Sequence, residues 1–376
     1  MPAPPATLVD RLLDALVNAV RQRKEPQGLV QRLQRWFRAL LAVVSLGYLG
    51  FLAIVLALLE WHGERNWILA FLLYLPPTGW LLPLTLLTPL CLLFRWRLVF
   101  VHLGCVLLVL GIYMKPRWSL LSSPAPGGPT LTVLTNNRGE ANRTSPTKFI
   151  AEQKPDIIAL QEAGREDAYQ AAYPELHVKA VGEYTLLSRF PITKAEHLPL
   201  SLKNLPVGAR FELDCDGRTL VVFNIHIVSP RRDLDLMRGL GFPVLILAPA
   251  RSRFGPMREQ YKASWAERRE IVRQLAELIQ KEQKPFLAVG DFNFPDHGYS
   301  YHLFAGQLTD AFAARGRGYG FTLPGTTRNP LTLFGPWLRL DYLWSSHHLS
   351  PVECVREPGR ESQHRAVVAT YEWSVQ

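Results

Sequence analysis

Six stretches in the last two-thirds of the chain place a chemically able side chain at the edge of a short apolar run. LTVLTNN sets Asn136 and Asn137 after one run, and DIIALQEA sets Glu162 directly after another. VVFNIHIVSP carries Asn224 and His226 two residues apart, hence on one face of a strand. FLAVGDFNFP carries Asp291 and Asn293 with the same spacing, LRLDYLWSS has Asp341 where a strand begins, and ESQHRAVVATYE has His364 just before the last apolar run. A single polar residue at a strand end is ordinarily a cap or a turn residue. Acids, amides and imidazoles at all of these positions in one domain are not explained by capping.

The set has a common chemistry. Carboxylate and amide oxygens are hard ligands suited to Mg²⁺ or Mn²⁺. A divalent ion beside a phosphoryl oxygen neutralises the charge that builds in the transition state. An imidazole with a carboxylate partner activates water or stabilises charge, and a second imidazole can protonate a leaving oxygen. Asn holds a phosphoryl oxygen without adding negative charge. This is equipment for hydrolysing a phosphate ester.

The elements that must position these groups are mostly strands. Apolar runs at Leu131–Thr135, Ile157–Leu160, Tyr184–Ser188, Arg210–Leu213, Thr219–Ile227, Phe286–Val289, Leu340–Ser345 and Ala366–Tyr371 read as strands, with helices at Ser145–Gln153 and Ala263–Glu282. This order predicts an α+β fold with sheets packed together and helices outside.

The motifs QE after a strand, NIH, GDFN, LDY and S-x-H-R, in this order, resemble the endonuclease/exonuclease/phosphatase superfamily. That superfamily includes deoxyribonuclease I, AP endonucleases, inositol polyphosphate 5-phosphatases and bacterial sphingomyelinases. The resemblance covers Leu131 to Glu372 and implies a two-sheet β-sandwich flanked by helices, deoxyribonuclease I-like, with the site at one end. It implies that Glu162 binds the metal with Asn137 or its neighbour Asn136, and that His226 stands beside the leaving group. Asp291 and Asn293 would orient or deprotonate water and hold the phosphoryl group, and Asp341 and His364 would form a carboxylate–imidazole dyad. Arg210, in GARFEL, is either a phosphate contact or a surface arginine. The sequence departs from the pattern at Gln363, where the family usually has Asp before the histidine. Gln keeps an oxygen ligand and loses a charge, so an active enzyme with a weaker metal site is expected, the alternative being a catalytically impaired scaffold.

The first third has a different character. The chain has 376 residues and a formal charge of +10, with 48% hydrophobic and 20% charged residues, which excludes a disordered protein. Residues 1–120 hold 12 of the basic and 5 of the acidic residues, a net of +7, and the remainder nets only +3. The charge therefore does not mark a nucleic-acid-binding face. Trp36–Leu59, Trp67–Phe94 and Leu98–Met114 are apolar runs, each about long enough to cross a bilayer. The second contains Pro76, Pro77, Pro83 and Pro89 and reads as one kinked helix or a re-entrant segment. Basic residues before the first run place the N-terminus in the cytoplasm and everything after Lys115 outside. No cleaved signal peptide is expected. Val9, Leu12, Leu13, Leu16, Val17 and Val20 predict an amphipathic helix on the inner leaflet, on the protein or on a second copy.

The expected organisation is a basic amphipathic segment at 1–35, a membrane region of about three spans at 36–120, a Pro/Gly/Ser linker at 121–130 and a phosphoesterase domain at 131–376. Cys215 and Cys354 either pair in an oxidising compartment or remain unpaired. Between NIHIVSP and the long helix lies an insertion, Arg231–Lys262, whose apolar GLGFPVLILAP is ringed by Arg231, Arg232, Arg238, Arg251, Arg253 and Arg258. It is a loop packed on its own domain or one that dips into the outer leaflet. The expected protein is an integral protein of a bacterial inner or plasma membrane with its catalytic domain periplasmic or extracellular. Its expected activity is that of an Mg²⁺- or Mn²⁺-dependent phosphodiesterase acting on a lipid or other surface substrate, with extracellular or periplasmic nucleic acid as the alternative. Its partners are the lipid bilayer and the phosphate-ester substrate, and no obligate protein partner is inferred.

Overall fold

The computed structural model describes residues 28–118, 127–139, 145–249, 251–325, 335–359 and 362–374. The amphipathic segment expected at Val9–Val20 and most of the expected linker lie outside them.

Contacts divide the chain into two units, one of residues 1–52 and 81–105, the other of residues 53–80 and 106–376. Helix α1 (Leu29–Trp61) is a single rod of 33 residues, longer than the apolar run because its first turns carry arginines on exposed positions. The second apolar run is broken. A short helix α2 (Trp67–Leu72), capped by Asn66, ends before Pro76 and Pro77, and helix α3 (Leu82–Phe94) follows a 3₁₀ turn at Pro77–Leu81. Two adjacent prolines remove two donors and fix two φ angles, so one continuous helix cannot pass through them. Helix α4 (Val99–Val106) continues as a π-helical segment, Leu107–Tyr113. Among the described residues, three helical segments, Leu29–Trp61, Pro77–Phe94 and Trp96–Tyr113, are long and apolar enough to cross a membrane.

In the first unit Leu41, Cys91 and Leu98 form a small core. His102 is buried there, its ring nitrogens 2.9 Å from Thr88 Oγ1 and 3.0 Å from Ser45 Oγ. Its hydrogen-bonding capacity is thus met within the helix cluster, as burial requires.

Among the described residues the second unit holds two six-stranded sheets and a two-stranded one. The strands are β1 (Thr130–Asn137), β2 (Ile157–Gln161), β3 (His177–Val181), β4 (Tyr184–Ser188), β5 (Ile192–His197), β6 (Ser201–Leu202), β7 (Leu205–Pro206), β8 (Gly208–Cys215), β9 (Arg218–His226), β10 (Phe286–Asp291), β11 (Thr309–Asp310), β12 (Asp341–Ser345), β13 (Leu349–Arg356) and β14 (Val367–Trp373). The first sheet runs β13-β14-β1-β2-β4-β3 and the second β11-β12-β10-β9-β8-β5, and β6-β7 is the two-stranded one. Leu131, Val133, Ile157 and Leu186 of the first meet Phe211, Val222, Leu287 and Leu343 of the second in one core. Helices α5 (Thr147–Gln153) and α6 (Glu166–Ala172) lie on the first sheet, where Phe149 and Tyr169 cover Ile158 and Leu160. On the second sheet, α9 (Gly255–Gln280) and α10 (Gly298–Ala305) pack Val272, Leu275 and Phe304 over Val221, Phe223 and Trp344. The α+β sandwich flanked by helices is therefore present.

Some elements differ from the sequence reading. The Arg231–Lys262 insertion is helical rather than a loop. It forms α7 (Arg231–Leu236), α8 (Gly241–Leu247) and the start of α9, and α11 (Ala311–Arg315) closes the set. Its apolar residues divide, Met237 and Leu245 being buried while Leu240 and Leu247 are about four-fifths exposed. Strands β3, β5 and β13 are additional to those read from the apolar runs. All three are edges of their sheets, where one side needs no hydrogen-bonding partner and polar residues and even Pro351 are tolerated. All four cysteines are free and buried, Cys215 and Cys354 included.

Gly290 is the tightest point of the second sheet. Its φ is +132°, and a Cβ there would stand 2.0 Å from the Ile225 carbonyl oxygen on the neighbouring strand. Gly290→Ala should force β9 and β10 apart and cost about 3 kcal/mol. Thermal melting of the purified full chain checks this, and an unchanged midpoint would contradict the close packing of these strands.

Candidate active site

Strand direction gathers the site. β1 and β2 are parallel, as are β9 and β10, so Asn137, Glu162, His226 and Asp291 all emerge where strands end. β12 and β14 run antiparallel to their neighbours, so Asp341 and His364 stand at the same end by beginning strands. Register completes the alignment, with Asp291 directly opposite His226 on one side and Asp341 on the other.

Asp291 is the centre. Its carboxylate is fully buried. Asn293 donates to it twice, from its backbone to Oδ1 and its side chain to Oδ2, both at 2.9 Å. Asn137 Nδ2 donates to Oδ2 at 3.0 Å and to Glu162 Oε1 at 3.1 Å. His364 presents Nε2 3.7 Å from Asp291 Oδ2 and holds Asp341 Oδ2 at 3.0 Å through Nδ1. His226 presents Nε2 3.6 Å from Glu162 Oε1 and 3.9 Å from Asp291 Oδ2. Glu162 and Asn293 both adopt left-handed backbone, φ 52° and 49°, an uncommon conformation for non-glycine residues that recurs at functional sites.

Of the sequence candidates, Asn137, Glu162, His226, Asp291, Asn293, Asp341 and His364 converge. Asn136 is the buried neighbour of Asn137 and is not among the groups around Asp291. Asn224 lies inside the sandwich, accepting from Gln161 at 2.7 Å and donating to the Leu160 and Thr185 carbonyls. Arg210 does not join the cluster. Its guanidinium is held by Glu282 at 2.7 Å and Glu212 at 2.5 Å, so its charge is already paired within the domain. Two further residues have no motif to announce them. Glu183 accepts from His226 Nδ1 at 2.6 Å, and Arg268, buried on α9, donates to the Asn293 carbonyl at 2.6 Å and to that of Val228. One is a lone acid at a hairpin and the other one arginine among many on an amphipathic helix.

Residues 147–364 match the model of the endonuclease/exonuclease/phosphatase family, more than half of the chain. The chain belongs to this family. Its members are metal-dependent hydrolases of phosphoric esters, and this chain is such an enzyme. Several solved structures are similar to it at low identity. A family protein from Bacteroides thetaiotaomicron is 16% identical, with 66% of this chain and 99% of that one covered at a TM-score of 0.44. The 3′ phosphatase NExo from Neisseria, bound to a product DNA hairpin, is 16% identical over 65% of this chain and 100% of its own, at a TM-score of 0.42. Truncated TDP2 from Caenorhabditis elegans is 19% identical, with 65% and 98% covered at 0.42. No curated protein matches the chain.

The donor set suits the family's divalent metal. A point beside Gly139, where a side-chain carbon would sit, is 3.0 Å from Glu162 Oε2 and 3.1 Å from both Glu162 Oε1 and Asn137 Oδ1. Three hard oxygens thus lie close around one point that a side chain at residue 139 would crowd, and hard oxygens suit a hard divalent cation. Asp291, Asp341 and His364 form a second convergent group with ligand atoms within 4.8 Å of one another, tied together by the hydrogen bonds above.

The electrostatics favour the protonated form of both imidazoles. Burial alone would push His364 down, but the Asp341 and Asp291 carboxylates outweigh it and hold it up to about 9. Burial also works against a proton on His226, and the short bond to Glu183 together with Asp291 reverses the balance, so its pKa rises. Asp291 is raised by its own desolvation, with the two histidines pulling the other way.

A group that binds its proton more tightly when folded stabilises the fold below its unfolded pKa, near 6.5 for His364, and loses that contribution as pH climbs through about 9. Metal-free wild type should therefore melt at lower temperature as pH rises from about 7 to about 10, and Asp341→Asn should flatten this slope. Parallel slopes in the two proteins would refute the pairing.

Proposed function

We propose that the protein is a membrane-anchored phosphodiesterase that uses Mg²⁺ or Mn²⁺ and acts on a phosphate diester presented at a lipid surface. The observation that carries the chemistry is the buried Asp291 carboxylate with two histidines within 4 Å, His226 at the end of the neighbouring strand β9 and His364 just before β14 of the other sheet.

Glu162 and Asn137 would hold the metal, which supplies charge neutralisation at the phosphoryl oxygens when bound. The protein's own groups divide the remaining work. Asp291, kept in place by Asn293 and Asn137 and made more basic by burial, takes the proton of the attacking water. His364, locked as an imidazolium by Asp341, donates to a phosphoryl oxygen. His226, held by Glu183, donates its Nε2 proton to the leaving alkoxide. A donor for the leaving group matters wherever an unactivated alkoxide departs, because such an alkoxide is a poor leaving group.

The surface substrate rests on two features. Three helical segments can span a membrane. The α7–α8 insertion begins just after Val228, whose carbonyl is tied through Arg268 to Asn293, and it exposes Leu236, Leu240 and Leu247 among arginines. Exposed apolar residues with a basic rim favour an anionic bilayer surface. In this reading residues 36–120 anchor the chain, 121–130 link, and 131–376 catalyse, with the N-terminus cytoplasmic and the site outside.

Chelation should abolish activity and Mg²⁺ or Mn²⁺ restore it, while Glu162→Gln and Asp291→Asn should each lower kcat by about 10³-fold or more with the fold retained. His226→Ala should harm a dialkyl phosphate far more than bis(p-nitrophenyl) phosphate, whose leaving group needs no proton. Gln363→Asp should lower the metal concentration for half-maximal rate. In parallel assays on phospholipid vesicles and plasmid DNA, faster turnover of DNA would move the substrate to nucleic acid.

A further inference from the structure

Strand β10 ends at Asp291 and the loop that follows it carries Asn293, and much of that loop's support comes from residues outside the stretch that matches the family. Tyr74, between the first and second candidate spans, is buried and donates its hydroxyl to the Asn293 carbonyl at 2.8 Å. Its ring packs on Trp265 of α9, centroids 5.9 Å apart, and its own carbonyl accepts from the Trp337 indole at 3.2 Å. Three residues past Asn293, the Asp296 carbonyl accepts from Lys115 at 3.1 Å. Lys115 also pairs with Glu60 at 2.7 Å, and Glu60 in turn holds His297 Nδ1 at 2.8 Å and His302 Nε2 at 3.0 Å. Residues 60, 74 and 115 all lie before residue 147, where the family match begins.

Asn293 is held on several sides. Its left-handed backbone is one that asparagine adopts readily, and hydrogen bonds fix both its side chain and its carbonyl. Its side chain is fixed to Asp291 and to the Ile227 carbonyl, and its carbonyl to Arg268 and Tyr74. Removing one hold lets the amide drift from the carboxylate that it orients, and displacements on the scale of an ångström are costly in an active site.

We propose that Tyr74 is a positioning residue for the hydrolysis, acting through Asn293, so that the segment between the first two spans is part of the catalytic scaffold and not only of the anchor. This rests on the reading of Asp291 and Asn293 as catalytic, and a double-mutant cycle separates the two ideas. The full chain in detergent would be assayed with bis(p-nitrophenyl) phosphate and Mn²⁺ as wild type, Tyr74→Phe, Asn293→Ala and the double variant. Tyr74→Phe should lower kcat about tenfold with KM nearly unchanged, and should cost less than about twofold in the Asn293→Ala background, where there is no amide left to orient. Arg269→Ala supplies the structural control. Arg269 secures the same segment through the Glu64 and Arg65 carbonyls, both at 2.9 Å, without touching Asn293, so it should lower the melting temperature and leave kcat close to wild type. No loss in Tyr74→Phe, or the same loss in both backgrounds, would overturn the proposal. An Asn293→Ala variant with full activity would instead overturn the reading of the site, and this inference with it.

Discussion

Everything at the site depends on keeping one carboxylate buried. Asp291 is sealed from solvent at the end of a central strand, and an isolated charge there would be expelled or neutralised. It persists because two amides and a backbone N–H donate to it and because two imidazoles stand within 4 Å. Each of those partners has its own restraint. Asp341 holds His364, Glu183 holds His226, and Gly139 donates to Asn137 Oδ1 at 2.8 Å. A buried polar network of this kind orders a site only when each member is satisfied.

The sandwich can be understood as the device that delivers these groups. A parallel pair in the middle of each sheet sends four strand ends to one edge, and antiparallel neighbours return two more strands that begin there. Gly290 lets β10 approach β9 closely enough for Asp291 and His226 to stand side by side. Asn224 and Gln161, hydrogen-bonded between the sheets, hold the two layers in a fixed relation without belonging to the chemistry.

Much of the site was legible because strand-end residues are local events. The two-residue spacings of Asn224 with His226 and of Asp291 with Asn293 follow from strand alternation alone. Alternation assigns a face and not a depth, and only the structure shows that Asn224 is bonded inside the sandwich to Gln161 and the Leu160 carbonyl. Arg210 shows the same limit. Only the fold reveals that Glu282, 72 residues away, neutralises it. Glu183 and Arg268 were silent for the converse reason, as each acts on a residue distant in sequence and neither sits in a distinctive pattern.

What the sequence determined by itself was the class of fold, the three apolar segments, the phosphoester chemistry and a set of candidate residues. The apolar segments follow from hydropathy and the candidates from functional-group type at strand ends, all properties of short windows, while the two-sheet sandwich follows from the family resemblance that the motifs carry. Tertiary structure decided which asparagine faces the carboxylate, which arginine is held in a salt bridge, and that Tyr74, Lys115 and Glu60 hydrogen-bond the loop after Asp291, more than 170 residues away. A hydrogen bond needs atoms about 3 Å apart, and that proximity is set by how the whole chain packs and not by any window of it.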